Sequence, residues 1–174
     1  GRTAVLFAYS LGKAQRLLSL LDPSIGEIYT HGAIENMNEV LRTLAPLPPT
    51  RRITGETGKK ELVGNLVLAP PSAHGNPWIR KMVPFETAAA SGWMAFRGAR
   101  RRRAVDRGFV LSDHCDWEGL LQSIRATGAE RVICTHGYSE IFARYLKGQG
   151  YDARTEATQY EGEAAEMESE EEAS

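Results

Sequence analysis

The sequence predicts an α/β fold with a largely parallel sheet; one observation carries that expectation and two others bound it. Short apolar runs of strand length alternate with segments of about ten residues whose apolar positions recur at helical spacing, the pattern of βαβ units. The chain of 174 residues has 42% hydrophobic and 25% charged residues, enough to bury a core and too apolar for a disordered polymer. No stretch approaches the ~18 to 20 uninterrupted apolar residues of a membrane span, and no basic start followed by an apolar run marks a signal peptide.

The elements follow in order. Thr3-Ala-Val-Leu-Phe-Ala-Tyr9 is a continuous apolar run of buried-strand type, and Ser10 after it is placed to cap a helix carrying Leu11, Leu17, Leu18, Leu20 and Leu21. The cycle repeats with a strand over Glu27–Thr30 and a helix over Ile34–Leu44. Residues 45–62, with Pro46, Pro48, Pro49 and the Thr54-Gly-Glu-Thr-Gly-Lys-Lys60 run, read as loop. Leu66–Ala69 is a third strand ended by Pro70-Pro71, and Met82–Ala90 a fourth. After the basic stretch Arg97–Arg107 come a strand over Gly108–Leu111, a helix over Trp117–Ala126, a strand over Arg131–Thr135 and a helix over Ser139–Lys147. From about Gly162 the composition is Glu, Ala and Ser with Met167 the only large apolar residue, which predicts a disordered tail.

Charge sharpens this division. Net charge is −1, yet residues 1–150 carry 20 Lys and Arg against 13 Asp and Glu, while residues 151–174 carry one Arg against nine acids. A basic body of about +7 and an acidic tail of about −8 cancel in the total, so a polyanionic partner is not excluded by the sum. Two cysteines, Cys115 and Cys134, are too few for a disulfide framework, which points to a reducing cytoplasmic compartment. The chain opens on Gly1 with a buried-type strand from Thr3, and reads as a piece of a longer protein.

Two Gly-Lys pairs fail as phosphate loops of the Walker type. Ala14 follows Gly12-Lys13 and Lys60 follows Gly58-Lys59, where a Ser or Thr is required. Ser10-Leu-Gly-Lys13 retains two readings: a helix start whose N–H groups meet a phosphate with Lys13 alongside, or an ordinary cap with a solvated lysine. Arg100, Arg101, Arg102 and Arg103 are the densest positive feature. Such runs are more often solvated surface; the position of this one just before a histidine motif favours phosphate contact.

His114 and His136 lie 22 residues apart in matching contexts, each after a short apolar strand and before a helix: Phe109-Val-Leu-Ser-Asp-His-Cys-Asp-Trp117 and Val132-Ile-Cys-Thr-His-Gly137. Neighbouring strands of a parallel sheet end on one edge, where ligands gather, so both imidazoles are expected in one crevice. Asp113 and Asp116 put carboxylates beside His114, where one orients the ring and raises its pKa as a general acid requires. His136 before Gly137 suits a metal ligand at a tight strand exit. A Cys₂His₂ zinc site from Cys115, His114, Cys134 and His136 is disfavoured because adjacent residues rarely ligate one ion well; the cysteines read as small buried residues beside the site. His31 reads as a turn histidine and His74 as an exposed loop residue.

These motifs resemble a known family. Ser112-Asp-His-Cys-Asp-Trp117 resembles the Ser-x-His-x-Asp motif, and Cys134-Thr-His-Gly137 the terminal His-Gly motif, of the β-CASP branch of metallo-β-lactamase-fold nucleases. Phe7-Ala-Tyr-Ser-Leu-Gly-Lys-Ala-Gln-Arg16 resembles the strand and helix that open the β-CASP insert. Ala90-Ser-Gly-Trp-Met94, Arg97-Gly-Ala-Arg-Arg-Arg-Arg103 and Val105-Asp-Arg-Gly-Phe109 are similar to the bacterial DNA-ligase-associated exonucleases, relatives of the messenger-RNA 3′-end processing endonucleases. The likeness spans about residues 3–150.

The resemblance implies a β-CASP lobe over 1–95, strands returning to a metallo-β-lactamase αββα sandwich over 96–150, and an acidic tail over 151–174. It implies that His136 ligates one of two divalent ions, Zn or Mn. His114, held by Asp113 or Asp116, would protonate the leaving oxygen while a metal-bridging hydroxide attacks phosphorus. Ser10, Lys13 and Arg100–Arg103 become candidate phosphate contacts on DNA, with an ATP-dependent DNA ligase and a helicase as implied partners. One departure matters: the His-x-His-x-Asp-His metal cluster of the family is nowhere in these residues, so the chain alone is expected to be inactive. An RNA-processing β-CASP nuclease and a non-catalytic nucleic-acid-binding module are the alternatives.

Overall fold

The computed structural model describes residues 1–102 and 104–157. They fall into two units that divide between His114 and Cys115. The first contains a six-stranded sheet in the order β3-β2-β4-β1-β5-β6, formed by β1 (Thr3–Phe7), β2 (Ile28–Thr30), β3 (Arg51–Arg52), β4 (Leu66–Ala69), β5 (Phe85–Ala90) and β6 (Arg107–Phe109). Every pairing in it is parallel. The α/β expectation is met.

The central strands are apolar throughout because both faces are covered. Val5 and Phe7 of β1, Tyr29 of β2 and Val67 and Ala69 of β4 join Leu62, Ala73, Ile79 and Met82 in one cluster. Their alternate neighbours Leu6, Ile28, Leu66 and Leu68 join Ala14, Leu17, Leu18 and Ile34 in another. Helices α1 (Lys13–Leu20) and α2 (Gly32–Leu41) supply the second cluster. The first is supplied by the four-residue α3 (Lys59–Leu62) and a 3₁₀ turn over Pro77–Met82. A short helix α4 (Arg97–Arg102) precedes β6.

Several local expectations are corrected. Gly12, not Ser10, stands at the start of α1, with φ of 82°; the Gln15 side chain reaches back to the Gly12 N–H and to the Ser10 carbonyl. The fourth strand begins at Phe85, since Pro77 and the following residues wind into the 3₁₀ turn. The expected loop over 45–62 holds β3 and α3.

Among the polar side chains buried in the first unit is a carboxylate. Glu35 of α2 accepts hydrogen bonds from Thr30 Oγ1 at 2.6 Å, Thr50 Oγ1 at 2.6 Å, Asn38 Nδ2 at 3.2 Å and Arg42 at 2.7 Å. Burial pushes its carboxyl up, but these donors together outweigh it and hold the pKa at about 2. Asn38 also accepts from Gln15, which ties α2 to the start of α1.

The second unit is smaller. Helices α5 (Trp117–Thr127) and α6 (Ser139–Gly148) pack on a parallel pair, β7 (Arg131–Cys134) and β8 (Asp152–Thr155). Its core is Leu121, Cys134, Ala143, Leu146 and Ala153. Strand β8 falls in the segment read from sequence as acidic tail; the predicted disordered stretch from Gly162 lies outside the described residues. Among the described residues no helix is long and apolar enough to cross a membrane.

Candidate functional site

The carboxyl edge of the six-stranded sheet gathers the loops that follow its strands. Past β6 the chain runs alongside the end of β5, with the Ser91 N–H donating to the Phe109 carbonyl at 3.1 Å and the Leu111 N–H to the Ser91 carbonyl at 3.4 Å. Asp106, just before β6, receives hydrogen bonds from the Thr87 N–H and hydroxyl, both at 2.8 Å. The base of the loop that carries Ser112, Asp113 and His114 is thereby fixed to β5.

The tip of that loop meets the start of α1. Lys13 is buried, its side chain 1% exposed, and its Nζ lies 3.3 Å from Asp113 Oδ1 and 4.9 Å from the centre of the Tyr9 ring. Arg16, one turn on, donates to the Ser112 carbonyl. Gly12 makes the approach feasible: a Cβ there would stand 3.1 Å from Asp113 Oδ2, and its positive φ disfavours any other residue. The Ser112 hydroxyl in turn accepts the His114 N–H at 3.1 Å, and His114 is exposed.

Of the two carboxylates expected to serve His114, Asp113 therefore faces Lys13, and Asp116 caps α5, its Oδ1 accepting the Gly119 N–H at 2.8 Å. His136 follows β7, as its strand-His-Gly context predicts; its Nδ1 lies 2.7 Å from Thr135 Oγ1, and Gly137 takes φ of 64° at the turn. The premise that the two histidines end neighbouring strands of one sheet is corrected: β6 belongs to the six-stranded sheet and β7 to the pair with β8. Cys134 is buried, as expected, and burial pushes its thiol up; Cys115 is exposed, contrary to expectation.

Other predicted residues are placed as follows. Ser10 lies in the turn between β1 and α1. Arg101 is exposed on α4, the backbone alone is described for Arg100 and Arg102, and Arg103 lies outside the described residues. His31 caps α2, its Nδ1 accepting the Ala33 N–H at 3.1 Å, and meets Trp78 edge-on at 4.8 Å. His74 is exposed and sits edge-on to Phe7 at 5.1 Å.

A metal pair does not fit what this chain supplies. Among the described residues no three His, Cys, Asp or Glu side chains come together as a metal site, and His136 alone cannot hold two ions. Gly12 and Arg16 are functional candidates that the sequence reading missed. The sequence signal for Arg16 is its i, i+3 spacing from Lys13, which puts both on one helix face.

The fold and the loop define a parallel α/β unit with a histidine displayed at its carboxyl edge, followed by a smaller unit with a second. Over 150 residues the chain is 33% identical to a protein from Opitutus terrae described as a probable DNA ligase. That stretch is 86% of this chain and 14% of the relative, so the chain spans a small part of the curated protein it matches. No family model matches the chain, and no solved structure does.

Proposed function

We propose that this chain is part of a metal-dependent DNA phosphodiesterase of the ligase-associated exonuclease type. One observation carries the reading. Two of the segments on which the family resemblance rests, around Gly12–Arg16 and Ser112–His114, are about a hundred residues apart in sequence yet are joined by an ion pair and a hydrogen bond. The contact puts both segments at one point on the carboxyl edge of the parallel sheet, where ligands gather in folds of this class. The likeness to a stretch of a protein described as a DNA ligase favours DNA over RNA as substrate and supports a ligase as working partner.

In this reading His114 is the general acid that protonates the leaving oxygen, displayed by a loop whose backbone is held at three points. His136 contributes one metal ligand, and the other ligands come from outside these 174 residues. No step through the metal is assigned to this chain. Ser10 and the Arg100–Arg103 run are phosphate contacts, which position nucleic acid without reading its sequence.

The test uses the protein with its flanking coding sequence. His136→Ala is expected to lose bound metal and cleavage together, and His114→Ala to slow cleavage by about 10²- to 10⁴-fold with metal retained. Unimpaired cleavage by either variant contradicts the assigned role. Preference for an RNA strand over the matching DNA strand would replace the substrate class.

A further inference from the structure

We infer that Lys13 and Arg16 are positioning residues: together they hold the Ser112–His114 loop in the conformation that presents His114. The inference rests on the functional reading above for its consequence, and on geometry for its substance. A lysine side chain 1% exposed is unusual, because an ammonium leaves water only for a partner. One partner here is Asp113, the residue next to His114, whose side chain is 26% exposed. The Tyr9 ring lies 4.9 Å from the same ammonium, adding a second contact at the base of the turn.

Three features make this a clamp and not a chance contact. Gly12 brings the helix start so close that a Cβ would stand 3.1 Å from the second Asp113 oxygen. Arg16 grips the carbonyl of the residue before Asp113, so side chain and backbone of the loop are held by one helix face. Ser112 passes the constraint on, its hydroxyl accepting the His114 N–H at 3.1 Å. The helix behind the clamp is itself fixed, since Ala14, Leu17 and Leu18 are in the core, and Gln15 bonds Asn38 at 2.8 Å. Rigid backing of this kind is what a displayed acid needs, because small misplacements of a reacting group are costly in rate.

The assignment gives Asp113 a role different from that of a ring-orienting carboxylate. Its charge is directed at Lys13, and it acts on His114 through the backbone. Removing either member of the pair therefore loosens the same loop, and removing both loosens it no further.

The experiment compares Lys13→Met, Lys13→Arg, Asp113→Asn, the Lys13→Met/Asp113→Asn double variant and Arg16→Gln. Backbone ¹⁵N relaxation on this chain reads the loop without reference to any activity. The His114 amide is expected to leave the rigid range of order parameters, about 0.85, and fall below about 0.6 in Lys13→Met, with Val67 and Leu68 unchanged. Lys13→Arg is expected to restore most of the order. Arg16→Gln alters an exposed side chain, so it tests the clamp even if the buried substitution fails to fold.

In the full-length protein acting on DNA, kcat is expected to fall about equally in Lys13→Met, Asp113→Asn and the double variant, with KM within about twofold. Unchanged order at His114 in both Lys13→Met and Arg16→Gln overturns the inference. So does a raised KM with unaltered kcat, which would make Lys13 a substrate contact. An unmodified protein that does not cleave DNA overturns the functional reading instead, and the relaxation data then decide the clamp on their own.

Discussion

The sheet of the first unit is buried on both faces between two apolar clusters, whereas the β7–β8 pair of the second is covered on one. In the second unit Ile133 is 48% exposed, Trp117 47% and Ile141 64%, and among the described residues the core comes down to five buried ones. A two-stranded sheet depends on the helices packed against it for stability. His114 therefore stands on a loop tethered to a deeply buried framework, and His136 follows a strand of the less covered pair.

The contrast is broken most severely by a core truncation in each unit. Leu146→Ala and Leu68→Ala each remove a side chain that is 0% exposed, at a cost of about 2–5 kcal/mol. That is comparable with the whole margin a core of this size supplies in the second unit. Hydrogen exchange is expected to show α6 losing its protection in Leu146→Ala while β1 and β4 keep theirs. Leu68→Ala is expected to lower the melting temperature of the first unit and leave it folded. Retained protection of α6 in Leu146→Ala would show the units to be equally robust.

Next in size is an asymmetry within the Lys13–Asp113 pair. Asp113→Asn removes the carboxylate that faces a buried ammonium, a loss bounded by the ~3–5 kcal/mol of a fully buried pair, whereas Lys13→Met leaves a carboxylate that water can reach. Asp113→Asn is expected to destabilise the first unit more in a urea titration; the reverse order would mean that Lys13 is solvated in solution.

Acid offers a third test, through Glu35 of the first unit. Glu35 in the folded chain titrates at about 2 against an ordinary value of 4.5. The unfolded chain therefore binds the proton first as pH falls, and stability that is full above about 4.5 drains away down to about 2, by about 3 kcal/mol at most. Glu35→Gln should abolish this part of the pH dependence. A smaller effect belongs to the second unit: Asp116→Ala removes the α5 cap and is expected to cost about 1 kcal/mol by thermal unfolding.

Much of this architecture is legible in the sequence, and the omissions have physical reasons. Apolar runs such as Thr3–Phe7 and Leu66–Ala69 announce strands covered on both faces, and Ser112-Asp-His114 is recognisable as a strand-end loop. Strand β8 escapes because Asp-Ala-Arg-Thr turns only Ala153 into the core and so shows no apolar run. Lys13 is read from sequence as a phosphate contact or a solvated lysine because a partner that makes burial tolerable, Asp113, lies a hundred residues away. Ser10 is the better cap by residue preference; Gly12 takes the position because the close approach of Asp113 leaves no space for a Cβ. The placement of β6 and β7 in different sheets is a matter of long-range pairing that local pattern does not encode.

The central claim is that this chain brings a general acid, His114, to a DNA phosphodiester. It is tested most directly by single-turnover cleavage of a DNA strand by the full-length protein and its His114→Ala variant, with bound metal measured in parallel. The account predicts that cleavage slows by about 10²- to 10⁴-fold at unchanged metal content. Equal rates in the two proteins would contradict it.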